Sequence, residues 1–277
     1  GVRAILTSKD IPGINQVGGI IPDETLFAVG EVQFIGEPVG IVVADSYEIA
    51  RKAVNKIKIE YEKLPAIFDP REAFEKGKLI MPPRIFSFGN VDETWDKCDI
   101  ILEGKVETGG QEHIYLETQG SIAIPEEGRK IKLISATQSP TTVQRTVARI
   151  LGVEMNNIEV EVLRLGGAFG GKEDQATHWA VMAALAAHKL NKPVKLVLNR
   201  MDDIRMTGKR HPYSSDYKIG LTSDGKILAF EATYFQNAGA FADLSPAILD
   251  RTLFHATNSY YIPNVKTTGI SCKTNLP

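Results

Sequence analysis

The segment from Ile158 to Lys189 constrains the chain most. Ile158–Leu165 alternates apolar and polar residues with period two, as a half-buried strand does. Gly166-Gly167-Ala168-Phe169-Gly170-Gly171 follows as a glycine-rich turn, and Gln175–Lys189 is then so rich in Ala, Met and Leu that it predicts a helix. A strand, a glycine turn and a helix in this order bring backbone N–H groups to a helix start, where an anionic or polar ligand is favoured. Glycines at such a turn can also serve close packing alone.

With Lys172, the turn formally satisfies G-x-x-x-x-G-K, the first part of a nucleotide-binding loop. The following residues argue against a nucleotide. A magnesium-holding Ser or Thr is required next, and the chain has Glu173 and then Asp174, two carboxylates that would repel a triphosphate. The strand Val194–Leu198 also ends in Asn199 and not in the Asp that would complete a metal site.

Upstream, Val39–Ala44 is an apolar β-branched run, and Asp45-Ser46 can cap a helix over Tyr47–Ile57 with Ile49, Ala50, Ala53, Val54 and Ile57 on one face. Lys58–Glu62 alternates and predicts a second strand, so this part reads as a small β-α-β unit closed by Leu64-Pro65. Pro70, Gly77, Pro82, Pro83 and Gly89 interrupt the next stretch, which reads as a connecting segment lying on a surface. Strands are then expected at Ile100–Glu107, Ser121–Ile124 and Lys132–Ser135. A helix is expected at Thr142–Leu151, stopped by Gly152. Ser215–Leu221 and Lys226–Phe235 are expected strands joined by a Ser223-Asp224-Gly225 hairpin turn. The fold class is therefore α+β: a small α/β domain followed by a strand-rich α+β domain.

A length of 277 residues suits one or two domains, and neither repeat nor low-complexity tract is present. A formal charge of −2 gives no support for a general affinity for nucleic acid or anionic membranes, and no apolar run predicts a membrane span. Cys98 and Cys272 lie far apart and cannot assemble a zinc or iron–sulfur site alone; a reduced, intracellular and cytoplasmic protein is expected. The opening Gly1-Val2-Arg3 and the close at Asn275-Leu276-Pro277 read as the ends of a fragment.

Several separated motifs resemble one family in order. Gly109-Gly110-Gln111-Glu112-His113-Ile114-Tyr115-Leu116-Glu117-Thr118 and Gly166–Glu173 resemble two stretches of the xanthine dehydrogenase and aldehyde oxidase family of molybdenum hydroxylases. Gly208–Pro212, Asp250–His255 and Cys272–Pro277 match further on, and the unit from Gly36-Glu37-Pro38 onward is similar to that family's small hammerhead domain. The resemblance implies a hammerhead domain over 1–66, a connecting segment over 67–97 and the first part of a molybdopterin-binding region over 98–277.

It further implies that the molybdenum is held by a pterin and not by side chains, so that no residue here is a metal ligand. Gln111, Gly167, Phe169 and Gly170 are implied cofactor contacts. Glu173 and Arg251 are implied catalytic residues that face a heterocyclic substrate, the pair favouring a purine such as hypoxanthine or xanthine over an aldehyde. Hydroxylation at a ring carbon is the implied reaction, with electrons leaving to iron–sulfur clusters and a flavin (FAD) on other segments or subunits of an oligomeric enzyme. The family's general base and its second cofactor loop match nothing here, so the chain alone is expected to be inactive. A hydroxylase for aldehydes or another N-heterocycle, or a non-catalytic scaffold of the same fold, stays open. His113, His178, His188, His255, Trp95 and Trp179 are read as structural residues.

Overall fold

A computed structural model describes all of residues 1–277. In chain order the elements are β1 (Val2–Leu6), β2 (Ile41–Ala44), α1 (Tyr47–Val54), α2 (Pro70–Glu75), β3 (Arg84–Phe88), β4 (Ile100–Thr108), β5 (Gly120–Pro125), β6 (Ile131–Ser135) and α3 (Pro140–Leu151). They continue with β7 (Ile158–Glu161), α4 (Gln175–Leu190), β8 (Val194–Val197), α5 (Arg200–Met206), β9 (Tyr213–Leu221), β10 (Ile227–Asn237), α6 (Ser245–Phe254) and β11 (Asn264–Cys272). The chain divides into two compact units, one built from residues 1–65 and 112–209 with Pro277, the other from 66–111 and 210–276. Mixed helices and open sheets make it α+β. No helix is long and apolar enough to cross a membrane.

In the first unit, β1 and β2 pair antiparallel and α1 packs on them. Ser46 caps α1 by accepting from the Ile49 N–H at 3.3 Å, the role its position before the apolar face suggests. Lys58–Glu62 forms no strand. Ile57, Ile59 and Tyr61 are 44%, 46% and 60% exposed, and β2 takes β1 as its partner. An alternating segment becomes a strand only where a neighbour accepts its ladder.

The second sheet of this unit runs β7-β6-β5-β8, with β6 and β7 parallel and the other pairs antiparallel. The helices α3 and α4 pack against each other and against this sheet. Gly152, in the left-handed region at φ 63°, ends α3 as expected. Ala176 to Ala187 of α4 are all buried, as an all-round apolar helix requires. The core joins Leu133, Val143, Val147, Ile150 and Leu185 to Leu26 and Phe27 from the first 65 residues.

The second unit is one five-stranded sheet in the order β3-β11-β10-β9-β4. Its β9–β10 hairpin turns where expected, with Gly225 at φ 84°. β10 and β11 are parallel, so the chain must cross over between them, and α6 packs on β11 during that crossover. The stretch interrupted by Pro and Gly contains two elements. α2 begins at Pro70 under an Asp69 cap and packs on β10 and β11, and β3 pairs with β11 as an edge strand. Arg71 reaches Asp216 with two bonds of 2.8 and 2.6 Å and lies 4.5 Å above the Phe235 ring.

Candidate functional site

The glycine turn lies in the first unit, between β7 and α4. The strand stops at Glu161, four residues short of its predicted end, so Val162–Leu165 leads to the turn outside any helix or strand. Gly167 and Gly170 have φ of 88° and 91°, and Phe169 between them has φ 55°. A left-handed Phe costs about 1–2 kcal/mol, and such strain collects where a backbone must present itself to a ligand. Phe169 is 65% exposed. A Cβ placed on Gly170 would meet nothing within 4 Å, so that part of the turn borders open space.

The N–H groups of Gly166, Gly170, Gly171 and Lys172 each have an internal acceptor: Glu117 Oε2, Gln138 Oε1, the Ala168 carbonyl and again Gln138 Oε1. Those of Gly167 and Ala168 have none. The turn thus combines N–H groups anchored within the protein with two uncommitted donors, the character of a cradle for a polar or anionic cofactor. A molybdopterin, with its anionic phosphate and polar pterin edge, fits that donor set.

Besides Gln138, the frame around the turn comes from the Glu112–Gln119 segment. Lys172, fully buried, lies 3.2 Å from Glu117 Oε2 and 4.6 Å from the centre of the Tyr115 ring. Burial pushes its ammonium below the usual lysine range, and the Glu117 carboxyl partly offsets this. The Gln119 amide donates to the Gly171 carbonyl at 2.8 Å and to the Tyr115 hydroxyl at 3.1 Å. That hydroxyl donates to Asp203 Oδ1 at 2.7 Å, and Asp203 Oδ2 accepts from the Gln119 N–H at 2.7 Å. Asp203 belongs to α5, whose Arg200 guanidinium donates to the Leu116 carbonyl at 3.0 Å. His113 packs against the turn as well: a Cβ on Gly171 would fall 2.7 Å from its Cγ and 2.9 Å from Tyr115 Cε1.

Of the residues singled out from the sequence, Gly167, Phe169, Gly170 and Glu173 share this turn. Glu173 is half-buried just after Lys172, and Asp174 beside it has its carboxyl pushed up by burial. Gln111 and Arg251 belong to the second unit. Gln111 exchanges two backbone bonds with Arg210, at 3.2 and 3.0 Å, and is exposed. Arg251 is exposed on the last turn of α6, and its carbonyl accepts from the His255 N–H at 3.1 Å. The sequence reading gave no role to Glu117, Gln119, Gln138, Lys172 or Asp203. A lysine directly after the glycines and before two carboxylates was the one signal for them. A cavity of about 430 Å³ is lined by Glu117 of this frame and by Thr118, Ser135, Arg164 and Lys195 among others, and by none of the six predicted residues. No cluster of His, Cys, Asp and Glu suited to holding a metal ion is present.

A family model described as the molybdopterin cofactor-binding domain matches residues 75–277. Another, described as the aldehyde oxidase and xanthine dehydrogenase a/b hammerhead domain, matches residues 1–65. The chain belongs to the aldehyde oxidase and xanthine dehydrogenase family. It is 41% identical over 277 residues to a xanthine dehydrogenase of Dictyostelium discoideum and 43% identical over 281 residues to one of Oryza sativa subsp. japonica. It is 42% identical over 278 residues to a xanthine dehydrogenase/oxidase of Mus musculus. These matches cover 100% of this chain and 20%, 20% and 21% of the relatives, so the chain spans about a fifth of their length. Among solved structures it resembles an aldehyde oxidoreductase from Desulfovibrio gigas, with a TM-score of 0.92 at 25% identity over 100% of this chain and 32% of that one. A quinoline 2-oxidoreductase from Pseudomonas putida 86 shares the fold, with a TM-score of 0.85 at 24% identity over 100% of this chain and 38% of that one.

Proposed function

We propose that the chain is the hammerhead domain (1–66), a connecting segment (67–97) and the first part of the molybdopterin-binding region (98–277) of a molybdenum hydroxylase that oxidises a purine such as hypoxanthine or xanthine. The carrying observation is identity of 41–43% along the whole chain to xanthine dehydrogenases, with Glu173 and Arg251 both present. Molybdopterin, when bound, supplies the oxidative hydroxylation chemistry and takes up the electrons. The chain's part is to hold the cofactor and grip the ring. The uncommitted N–H groups at Gly167 and Ala168 would receive the cofactor, with Phe169 and Gly170 shaping the turn against it, and the Gln111 amide would donate toward it without adding charge.

The Glu173 carboxyl hydrogen-bonds a ring nitrogen of the purine and fixes which carbon is presented. The Arg251 guanidinium stabilises negative charge that builds on the ring during attack. A donor whose bond strengthens only in the transition state contributes on the order of 3 kcal/mol, roughly a hundredfold in rate. Iron–sulfur clusters and FAD on other segments or subunits of an oligomeric, cytoplasmic enzyme would carry the electrons onward.

The test is Arg251→Met in the full-length protein, assayed with xanthine, hypoxanthine, nicotinate and an aldehyde. Purine turnover is expected to fall about a hundredfold with aldehyde turnover spared. Equal losses on all substrates would remove Arg251 from its role, and a wild type that prefers the aldehyde would replace the purine reading with that of an aldehyde hydroxylase.

A further inference from the structure

The glycine turn is closed by side chains on two sides. On one, a single oxygen, Glu117 Oε2, accepts from the Gly166 N–H at 2.9 Å and from Lys172 Nζ at 3.2 Å, so it ties the first residue of the turn to the residue just past its last glycine. The Glu117 N–H donates to the Gly166 carbonyl at 3.0 Å, which anchors the carboxyl's own backbone to the same end. On the other side, Gln138 Oε1 accepts from the N–H groups of Gly170 and Lys172 at 3.1 and 3.2 Å, and the Lys172 carbonyl accepts from the Gln138 N–H at 2.8 Å. Lys172 is the unusual member. An apolar side chain could fill its space, whereas a fully buried ammonium loses its hydration and has Glu117 as its one carboxyl partner within 4 Å. What the cation adds is reach across the turn to Glu117. Its own backbone precedes Glu173 directly, so any shift of Lys172 moves Glu173 with it.

We propose that Glu117 and Lys172 are a positioning pair, which closes the glycine turn at its two ends and thereby sets where Phe169 and Glu173 are presented. Neither touches substrate in this role. The pair's effect on turnover rests on the molybdenum hydroxylase reading; its effect on the turn does not.

The test uses the full-length protein as wild type, Glu117→Gln, Lys172→Met and the double variant. The first readout is amide hydrogen exchange of the segment 163–174. Either single variant is expected to speed exchange of the Gly166 and Lys172 amides about tenfold or more, because each leaves a group of the pair without its charged partner, while α4 stays protected. The double variant has no uncompensated charge and is expected to return much of that protection. The second readout is substrate selectivity. Glu117→Gln, which alters a half-exposed carboxyl and leaves the core intact, is expected to lower kcat/KM for xanthine about tenfold more than for an aldehyde that does not engage Glu173. Exchange within twofold of wild type in both single variants would overturn the pair, and so would equal losses on xanthine and the aldehyde. A wild-type protein carrying no molybdenum and oxidising neither substrate would sink the functional reading, and the exchange data would then decide the pair by themselves.

Discussion

Tyr115→Phe removes one oxygen from the frame under the glycine turn, and its cost can be worked out bond by bond. Tyr115 is 1% exposed and Asp203 is fully buried. The phenol donates to Asp203 Oδ1 at 2.7 Å and accepts from the Gln119 amide at 3.1 Å; the other Asp203 oxygen keeps the Gln119 N–H at 2.7 Å. Burial, reinforced by Asp203, pushes the Tyr115 hydroxyl far above the usual phenol range, so it remains a donor at any working pH. The substitution leaves Asp203 Oδ1 with no donor in a site closed to water. A hydrogen bond to a carboxylate is worth about 1.5–3 kcal/mol, and the lost volume of one oxygen adds little. At about 2–4 °C per kcal/mol for a unit of this size, the melting temperature should fall by roughly 3–12 °C. Urea and thermal unfolding of Tyr115→Phe, Asp203→Asn and the double variant give the assay, with Tyr61→Phe as the control because Tyr61 is 60% exposed. A coupling of about 1 kcal/mol or more between the two sites is expected. A loss for Tyr115→Phe no larger than that of Tyr61→Phe, or additive losses in the double variant, would refute the reasoning.

Two further outcomes follow from the same kind of reading. Gly171→Ala places a methyl group 2.7 Å from His113 Cγ and 2.9 Å from a Tyr115 ring that its partners hold in place, and should cost about 1–3 kcal/mol in unfolding free energy; a neutral result would mean that both rings can move. His211, whose ring nitrogen lies 2.8 Å from Ser245 Oγ, has its pKa pushed down to about 4 by burial. The unfolded chain binds the proton first, so this histidine's contribution is present above about pH 6.5 and is lost as the pH falls toward 4, by up to about 3 kcal/mol. His211→Asn should flatten the stability profile in that window, and an unchanged slope would exclude the histidine as its source.

Much of this molecule was legible in the sequence, and what was missed has a common cause. α3, α4 and the β9–β10 hairpin announce themselves through local signals: Gly152, an apolar run, and Ser223-Asp224-Gly225. β1, β3 and β11 do not, because a strand's existence depends on a distant partner. Val2–Leu6 is short, and Arg84–Phe88 sits among prolines and glycines, yet each finds an edge to join. Lys58–Glu62 is the opposite case, alternating well and finding no neighbour. In the site, the turn itself was readable from its glycines and its place between strand and helix. Its frame was not, since the meeting of Glu117 with Lys172, or of Tyr115 with Asp203, is a product of tertiary packing that no spacing along the chain encodes.

The order of strands in the five-stranded sheet has a consequence for synthesis. Its two outer strands, β3 and β4, leave the ribosome well before the three inner ones, β9, β10 and β11, to which they must attach. Until Leu221 has emerged, a nascent chain therefore carries Ile100, Ile101 and Leu102 on a strand that lacks its partner β9, and until Cys272 has emerged it carries Ile85, Phe86 and Phe88 on one that lacks β11. Non-local pairing of this kind is slow and exposes sticky edges, so the second unit should depend on chaperones during translation until its last strand is made.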